Sequence, residues 1–361
     1  IILSVGVYFN TLGGLFTSRL PLKAALITGE LIHSLTILGM FLLIDISLVG
    51  VLVCYGLKAI IFSFTTPFGE KLIFDNSDSE CRKATYQINY WLVNLSVPIG
   101  MAIGAMLFKQ GMHLILLVSF VFSLITTAIY WVSLNSPSCV YSKEGVKQRP
   151  RIRFREYKRV FENRVSALIL LSAACLCVLE FSFLQYFPVY ISSSEASFTF
   201  DGIAFNQTDI FAIARSINAL VILVLGFLLG SYVAKYIGFR SVSFVTLIFA
   251  SLFIISFFLL NWPIFFFLII GLMSVMEIAY SPVRQTMFAE TVEKDISGLY
   301  FSTFSLTGRI GNIVAAGVLM LSEFVPHNVI IAILSIFGLV SFLSLLSASN
   351  LLLKNEAIYE S

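Results

Sequence analysis

The chain of 361 residues is 58% hydrophobic and only 12% charged, with a formal net charge of +3 and a mean hydropathy of +0.94. A soluble domain carries about 25% charged residues, so this composition excludes a water-soluble globular fold. It implies an integral membrane protein.

A bilayer core about 30 Å thick takes roughly 20 apolar residues per helical crossing. Eleven runs of that order lie at 1–18, 24–44, 47–73, 85–108, 112–134, 165–191, 209–234, 241–260, 262–287, 297–321 and 327–352. Spanning β-strands alternate apolar and polar residues, whereas segments such as "FFFLIIGLMSVM" are apolar on every face, so each crossing is predicted to be a helix. The chain opens at Ile1 inside an apolar run, with no basic flank and no small-residue cleavage site. That pattern reads as a truncated N-terminus rather than a signal peptide, and one helix of a parent twelve is expected to be missing.

Taken in order, the second crossing carries Glu30 and His33, three apart on one helical face and read as a local polar pair. The third holds Lys58 and Pro67, and the fourth holds Asn89, Pro98, Gly100 and Gly104. Pro98 removes a helical hydrogen bond, and the two glycines form a GxxxG spacing that lets another helix approach closely. Packing accounts for this motif, and gating is the competing role. After the fifth crossing comes "SKEGVKQRPRIRFREYKRVFENR", nine basic and three acidic residues. Beside membrane helices it reads as a linker lying on anionic lipid rather than as a nucleic-acid site. It divides an N-terminal bundle, 1–134, from a six-helix bundle, 165–361, with 135–164 as the basic cytoplasmic linker. In that second bundle the clear cases of ionisable residues at the centre of a crossing are Glu180, with Gln185 as a polar neighbour, then Arg215, Glu277 and Arg309, and Pro282 weakens the helix five residues beyond Glu277.

Basic residues are retained on the cytoplasmic side. If the connection after the first crossing faces the cytoplasm, alternate connections and the C-terminus hold 19 of the 23 Lys and Arg residues, among them Arg19, Lys23, Arg284 and Lys354, against Lys109 alone opposite. The expected protein is therefore multi-pass in the cell membrane, with the central loop and the C-terminus cytoplasmic. A glycine-led helix end before a short basic turn recurs in "GGLFTSRLPLK" and "GSYVAKYIGFR", at positions that a duplicated six-helix unit would relate.

A charge at the centre of a crossing costs about 2.5–3.5 kcal/mol on insertion scales, so it faces protein or water. Two readings are open for Glu277: a proton-titrating acid beside a cavity, or a structural ion pair with Arg215 or Arg309. Glu180 is open in the same way. Among the many aromatic residues, Tyr86, Tyr90, Trp91, Phe183, Tyr186 and Tyr280 lie near the polar positions and are candidates to line an amphiphile-accepting cavity. Cys54, Cys81, Cys139, Cys175 and Cys177 are scattered, and His33, His113 and His327 share no spacing with them, so no metal or other cofactor is expected. No Walker sequence, GxSxG or HExxH is present, and an enzyme or ATP-driven pump is not the expected class.

The stretches "NSDSECRKATYQINYWLVNLSVPIGMAIGAMLF" and "MEIAYSPVRQT" followed by "ISGLY" resemble the major facilitator superfamily, and within it the drug:proton antiporter branch. The resemblance implies an all-α membrane fold of two six-helix bundles with eleven of twelve helices visible here. It also implies a mid-membrane cavity and alternating access. It matches Asp75 and Glu277 to family acids used in proton coupling and cationic-substrate binding. Departures are plain: the family's cytoplasmic signature GxxxDRxGRK stands as "GLFTSRLPLK", which keeps Gly14, Arg19 and Lys23 but has Ser18, Pro21 and Leu22 for the acid, the glycine and the second arginine. The fifth-helix acid is Asn89, and the seventh-helix acid aligns with Leu184, one turn from Glu180 on the same face.

The expected function is proton-coupled export of amphiphilic or cationic small molecules by a monomer whose partners are substrate, protons and lipid, with no nucleic acid. Two alternatives stand beside it: movement of a peptide, lipid or siderophore-like solute with weak proton coupling, and a membrane receptor that transports nothing.

Overall fold

In a computed structural model, residues 2–77, 81–108, 110–135, 154–194, 198–200 and 203–360 are described. Most of the basic linker, Lys109 and Cys139 lie outside them. The helices are α1 (Ile2–Phe16), α2 (Leu22–Leu43), α3 (Leu48–Asp75), α4 (Arg82–Phe108), α5 (Met112–Asn135), α6 (Tyr157–Glu162), α7 (Arg164–Gln185), α8 (Phe187–Ser193), α9 (Gln207–Tyr236), α10 (Phe239–Phe258), α11 (Pro263–Glu290), α12 (Ser297–Leu321) and α13 (His327–Glu360). Helix occupies each of the eleven expected crossings, and nine helices among the described residues are long and apolar enough to cross a membrane.

Local chemistry sets the ends. Ser47 accepts a hydrogen bond from Gly50 N at 3.1 Å to cap α3, and Asn163 caps α7 by accepting from Val165 N and Ser166 N. Asn206 and Asp209 form a reciprocal capping box at the start of α9. Gly111, at φ 115°, takes the left-handed turn between α4 and α5. One expected crossing, 165–191, is divided into α7 and α8 around Tyr186. Pro188 has no N–H to return to Leu184, so the helix is restarted with proline in its first turn. The connection after α8 holds an antiparallel pair, Phe198–Phe200 with Ile203–Phe205, in a segment where the sequence reading placed only a link.

The chain divides into two compact units: residues 1–78, 97–160 and 292–306, and residues 79–96, 161–291 and 307–361. In the first, α2 packs on α3 and α5, and α1 packs on α3. Leu22, Ala25, Leu26, Phe68 and Leu134 form its core, with Phe16, Phe64, Leu72 and Tyr130 against them. In the second, α7 packs on α13, α10 on α11 and α13, and α9 on α11. Ser172 and Ser341 join α7 to α13 through a buried 2.9 Å hydroxyl pair.

Two expectations are corrected here. A Cβ built at Gly100 or Gly104 would meet no atom of the described residues within 4 Å, so within its own unit the GxxxG pair is not pressed against another helix. The close approaches lie elsewhere: Gly13 sits against the backbone of Phe64, and Gly311 against the backbone of Cys177. Arg284, counted above with the cytoplasmic connections, stands inside α11 and is buried, because that helix continues through Pro282 to Glu290.

Candidate functional site

In the second unit, α11 and α7 each bring one carboxylate to the wall of a cavity of about 200 Å³, which Asn94 of α4 and Arg215 and Asn218 of α9 also line. Glu277 is the better held of the two. Tyr90 donates its hydroxyl to Glu277 Oε1 at 2.9 Å, and Asn218 Nδ2 donates to Glu277 Oε2 at 3.3 Å and to Ser274 Oγ at 2.9 Å. Arg215 Nη1 donates to Asn218 Oδ1 at 3.3 Å. The guanidinium therefore reaches the carboxylate through a neutral amide, and no direct ion pair joins Arg215 to Glu277.

Glu180 has a second tyrosine. Tyr280, fully buried, donates its hydroxyl to Glu180 Oε1, and its ring meets Phe249 edge-on at 5.1 Å. Arg284, one turn further along α11, lies over the same ring with its guanidinium carbon 5.5 Å from the centroid. Leu184 lines the cavity together with Glu180, so both positions lie on the cavity face. Phe183, Phe249, Ile270 and Met273 supply the apolar wall. A buried carboxylate without partners would be costly; here each acid has a phenol donor and an arginine one side chain away.

Sequence reasoning named Glu277, Glu180, Arg215 and Tyr280, and the structure brings these four together. It named Tyr90 only as a cavity aromatic, whereas its hydroxyl holds Glu277 directly. Asn218, Asn94 and Arg284 were missed. Their signal was spacing: Asn218 is three residues after Arg215, and Asn94 is four after Tyr90, whose carbonyl it hydrogen-bonds at 2.9 Å.

The other candidates are not among the residues that line this cavity. Asn89, next to Tyr90, is half-buried but does not line it, and neither does Arg309 of α12. Pro282 is buried inside α11, and Pro98 falls within α4. Asp75 belongs to the first unit, where it pairs with Lys71 at 2.8 Å while Lys71 donates to Ser297 Oγ at 2.7 Å. The surviving signature cations are seated on rings in that unit, Arg19 over Phe16 at 5.4 Å and Lys23 over Trp131 at 6.0 Å. Glu30 and His33 do form a local pair, 3.4 Å apart, with Ser123 donating to Glu30 at 2.9 Å. Among the described residues no group of three or more His, Cys, Asp or Glu side chains is placed to hold a metal ion.

Comparison with known proteins places the chain in a family. The model of the Major Facilitator Superfamily matches residues 2–208. No curated protein sequence matches the chain. The fold is similar to that of the E. coli fucose:proton symporter, at 14% identity over 97% of this chain and 90% of that one, with a TM-score of 0.69. It is similar also to a bacterial homologue of the iron transporter ferroportin in an outward-facing state, at 14% identity over 99% and 88% with a TM-score of 0.67. A third similar structure is the human organic anion transporter, at 15% identity over 94% and 82% with a TM-score of 0.64. At such identities the likeness is one of fold. With more than half of its length matched by the family model, the chain belongs to the Major Facilitator Superfamily, a family of multi-pass membrane transporters.

Proposed function

We propose that the chain is a secondary active transporter that exports amphiphilic or cationic small molecules in exchange for protons, as in the drug:proton antiporter branch of the family. One observation carries this reading: Glu277 stands at the wall of an apolar cavity, held by Tyr90 and Asn218 and without a direct cationic partner among the described residues. Such a carboxylate attracts a cation when ionised and releases it when protonated. Exchange follows if the two occupancies favour different access states, which is the linkage antiport requires. Phe183, Phe249 and Met273 on the same wall suit the apolar part of an amphiphile.

Glu180 serves as the second acid, in place of the one that Leu184 replaces. Asp75 acts in the first unit through its pair with Lys71. The chain works as a monomer in the cell membrane, with 1–134 and 165–361 as its two bundles. The linker 135–164 and the C-terminus are cytoplasmic, as the distribution of basic residues supports.

The test is transport in reconstituted vesicles. With a pH gradient imposed, wild type is expected to move an amphiphilic cation such as tetraphenylphosphonium against its gradient, and Glu277→Gln to lose that coupling while remaining folded. Undiminished gradient-driven movement in Glu277→Gln would falsify the mechanism.

A further inference from the structure

Arg284 is 6% exposed, and its Nε and Nη1 have no hydrogen-bond partner among the described residues. An arginine buried to that degree is costly unless its charge is used or compensated. Its contact is the face of Tyr280, whose hydroxyl is spent on Glu180. It also lies within electrostatic reach of Tyr90, the phenol that holds Glu277. Among the described residues no carboxylate forms a salt bridge with this guanidinium, which leaves its charge available to offset the nearby acids.

The arrangement repeats that of the other acid. Glu277 meets Arg215 through Asn218, and Glu180 meets Arg284 through Tyr280. Each acid is one neutral side chain away from its arginine. Two carboxylates thus stand with two guanidiniums, yet among the described residues neither acid is closed off by a salt bridge, and both line the cavity. A cation entering this site meets two acids whose net charge with the arginines is zero. Removing one guanidinium leaves an excess negative charge, and a dication gains twice as much from that excess as a monocation does.

We propose that Arg284 is a specificity-determining residue: by offsetting Glu180 through Tyr280, it sets the cavity to favour singly charged cations over doubly charged ones. This rests on the reading of the site as a cation cavity, and it assigns the substrate's charge class.

Binding of tetraphenylphosphonium, a monocation, and dequalinium, a dication, is measured on the detergent-solubilised full chain at fixed pH and ionic strength. Arg284→Gln is expected to raise the ratio of dication to monocation affinity by about tenfold, the order expected for one uncompensated charge at this range. Arg284→Met, which keeps an apolar stem for the Tyr280 ring, is expected to do the same. Arg284→Lys, which keeps the charge, is expected to hold the ratio within about twofold of wild type. Glu180→Gln is expected to move it the opposite way. A merely structural role for Arg284 would weaken both ligands equally and leave the ratio alone. An unchanged ratio in both Arg284→Gln and Arg284→Met overturns this inference while leaving the transport reading intact. Failure of wild type to bind either cation overturns both.

Discussion

Asn218 stands between two opposite charges, its Nδ2 3.3 Å from Glu277 Oε2 and its Oδ1 3.3 Å from Arg215 Nη1. It links Arg215 to Glu277 through one hydrogen bond to each, and the two charges form no salt bridge. Asn218→Ala removes the spacer and one donor to the carboxylate. A hydrogen bond to a charged group is worth about 1.5–3 kcal/mol, so gradient-driven transport is expected to fall by roughly tenfold or more, with the protein still folded. Asn218→Asp should be worse, because it places a third acid in the cavity. Transport assays in vesicles on both variants decide this, and a wild-type rate in Asn218→Ala would remove the amide from the mechanism.

The two phenols offer a separable pair of tests. Tyr90→Phe takes one donor from Glu277 and Tyr280→Phe takes one from Glu180, each leaving its ring in place. If the acids act as distinct sites, the losses combine additively in Tyr90→Phe/Tyr280→Phe. If they behave as one charge-sharing unit, the double variant costs less than the product of the singles. Glu180→Gln bears on the same point, and intact transport with intact proton dependence in that variant would show that Glu180 has not taken over from the acid that Leu184 replaces.

How far the sequence disclosed all this varied with the kind of signal. Crossings were legible because long apolar runs leave the backbone no option but helix in a bilayer. The α7–α8 break was not, although Pro188 was in view, because proline early in a new helix and proline inside a continuing one look alike in sequence. Glu277 and Glu180 were conspicuous as isolated charges in apolar helices. Asn218 and Asn94 were quiet, since an uncharged amide in such a helix draws little notice until a partner is seen. Arg284 was misread for a different reason: although it falls inside the crossing expected at 262–287, its charge lay near the end of that run and was counted with the connection that follows. Spacing alone was also a weak guide at Gly100 and Gly104, where no atom of the described residues lies within 4 Å of an added Cβ.

That last contrast predicts opposite outcomes at glycines of similar appearance. An added Cβ at Gly311 would sit 2.4 Å from Cys177 Cβ and 2.9 Å from Cys177 C, and the backbone of α7 cannot yield as a flexible side chain could. Gly311→Ala is expected to lower thermal stability by about 1–3 kcal/mol, as overpacking does. Gly100→Ala and Gly104→Ala meet no atom within 4 Å and are expected to be neutral, or stabilising by up to about 1 kcal/mol through helix propensity. Melting curves of the purified variants separate the two groups, and a large loss at Gly104 would mean that a helix does pack there.

A pH dependence follows from Tyr157 at the start of α6, beside the basic linker. Its hydroxyl donates to Thr11 O at 2.6 Å and shares a 2.8 Å bond with Ser302 Oγ. Burial pushes the phenol up from its ordinary value of 10.0 to about 12. Because the folded value lies above the unfolded one, the folded state holds this proton more tightly. The stability it contributes is complete below about pH 10 and is lost as pH rises toward 12. Other phenols and lysines titrate in that range, so the informative quantity is the difference between wild type and Tyr157→Phe. Below pH 10 the variant should be the less stable by about 1 kcal/mol, having lost two hydrogen bonds. Between pH 10 and 12 that gap should narrow, since only wild type has this proton to lose. A gap that stays constant across the window would show that Tyr157 titrates freely and that α6 does not hold its hydroxyl against Thr11 and Ser302.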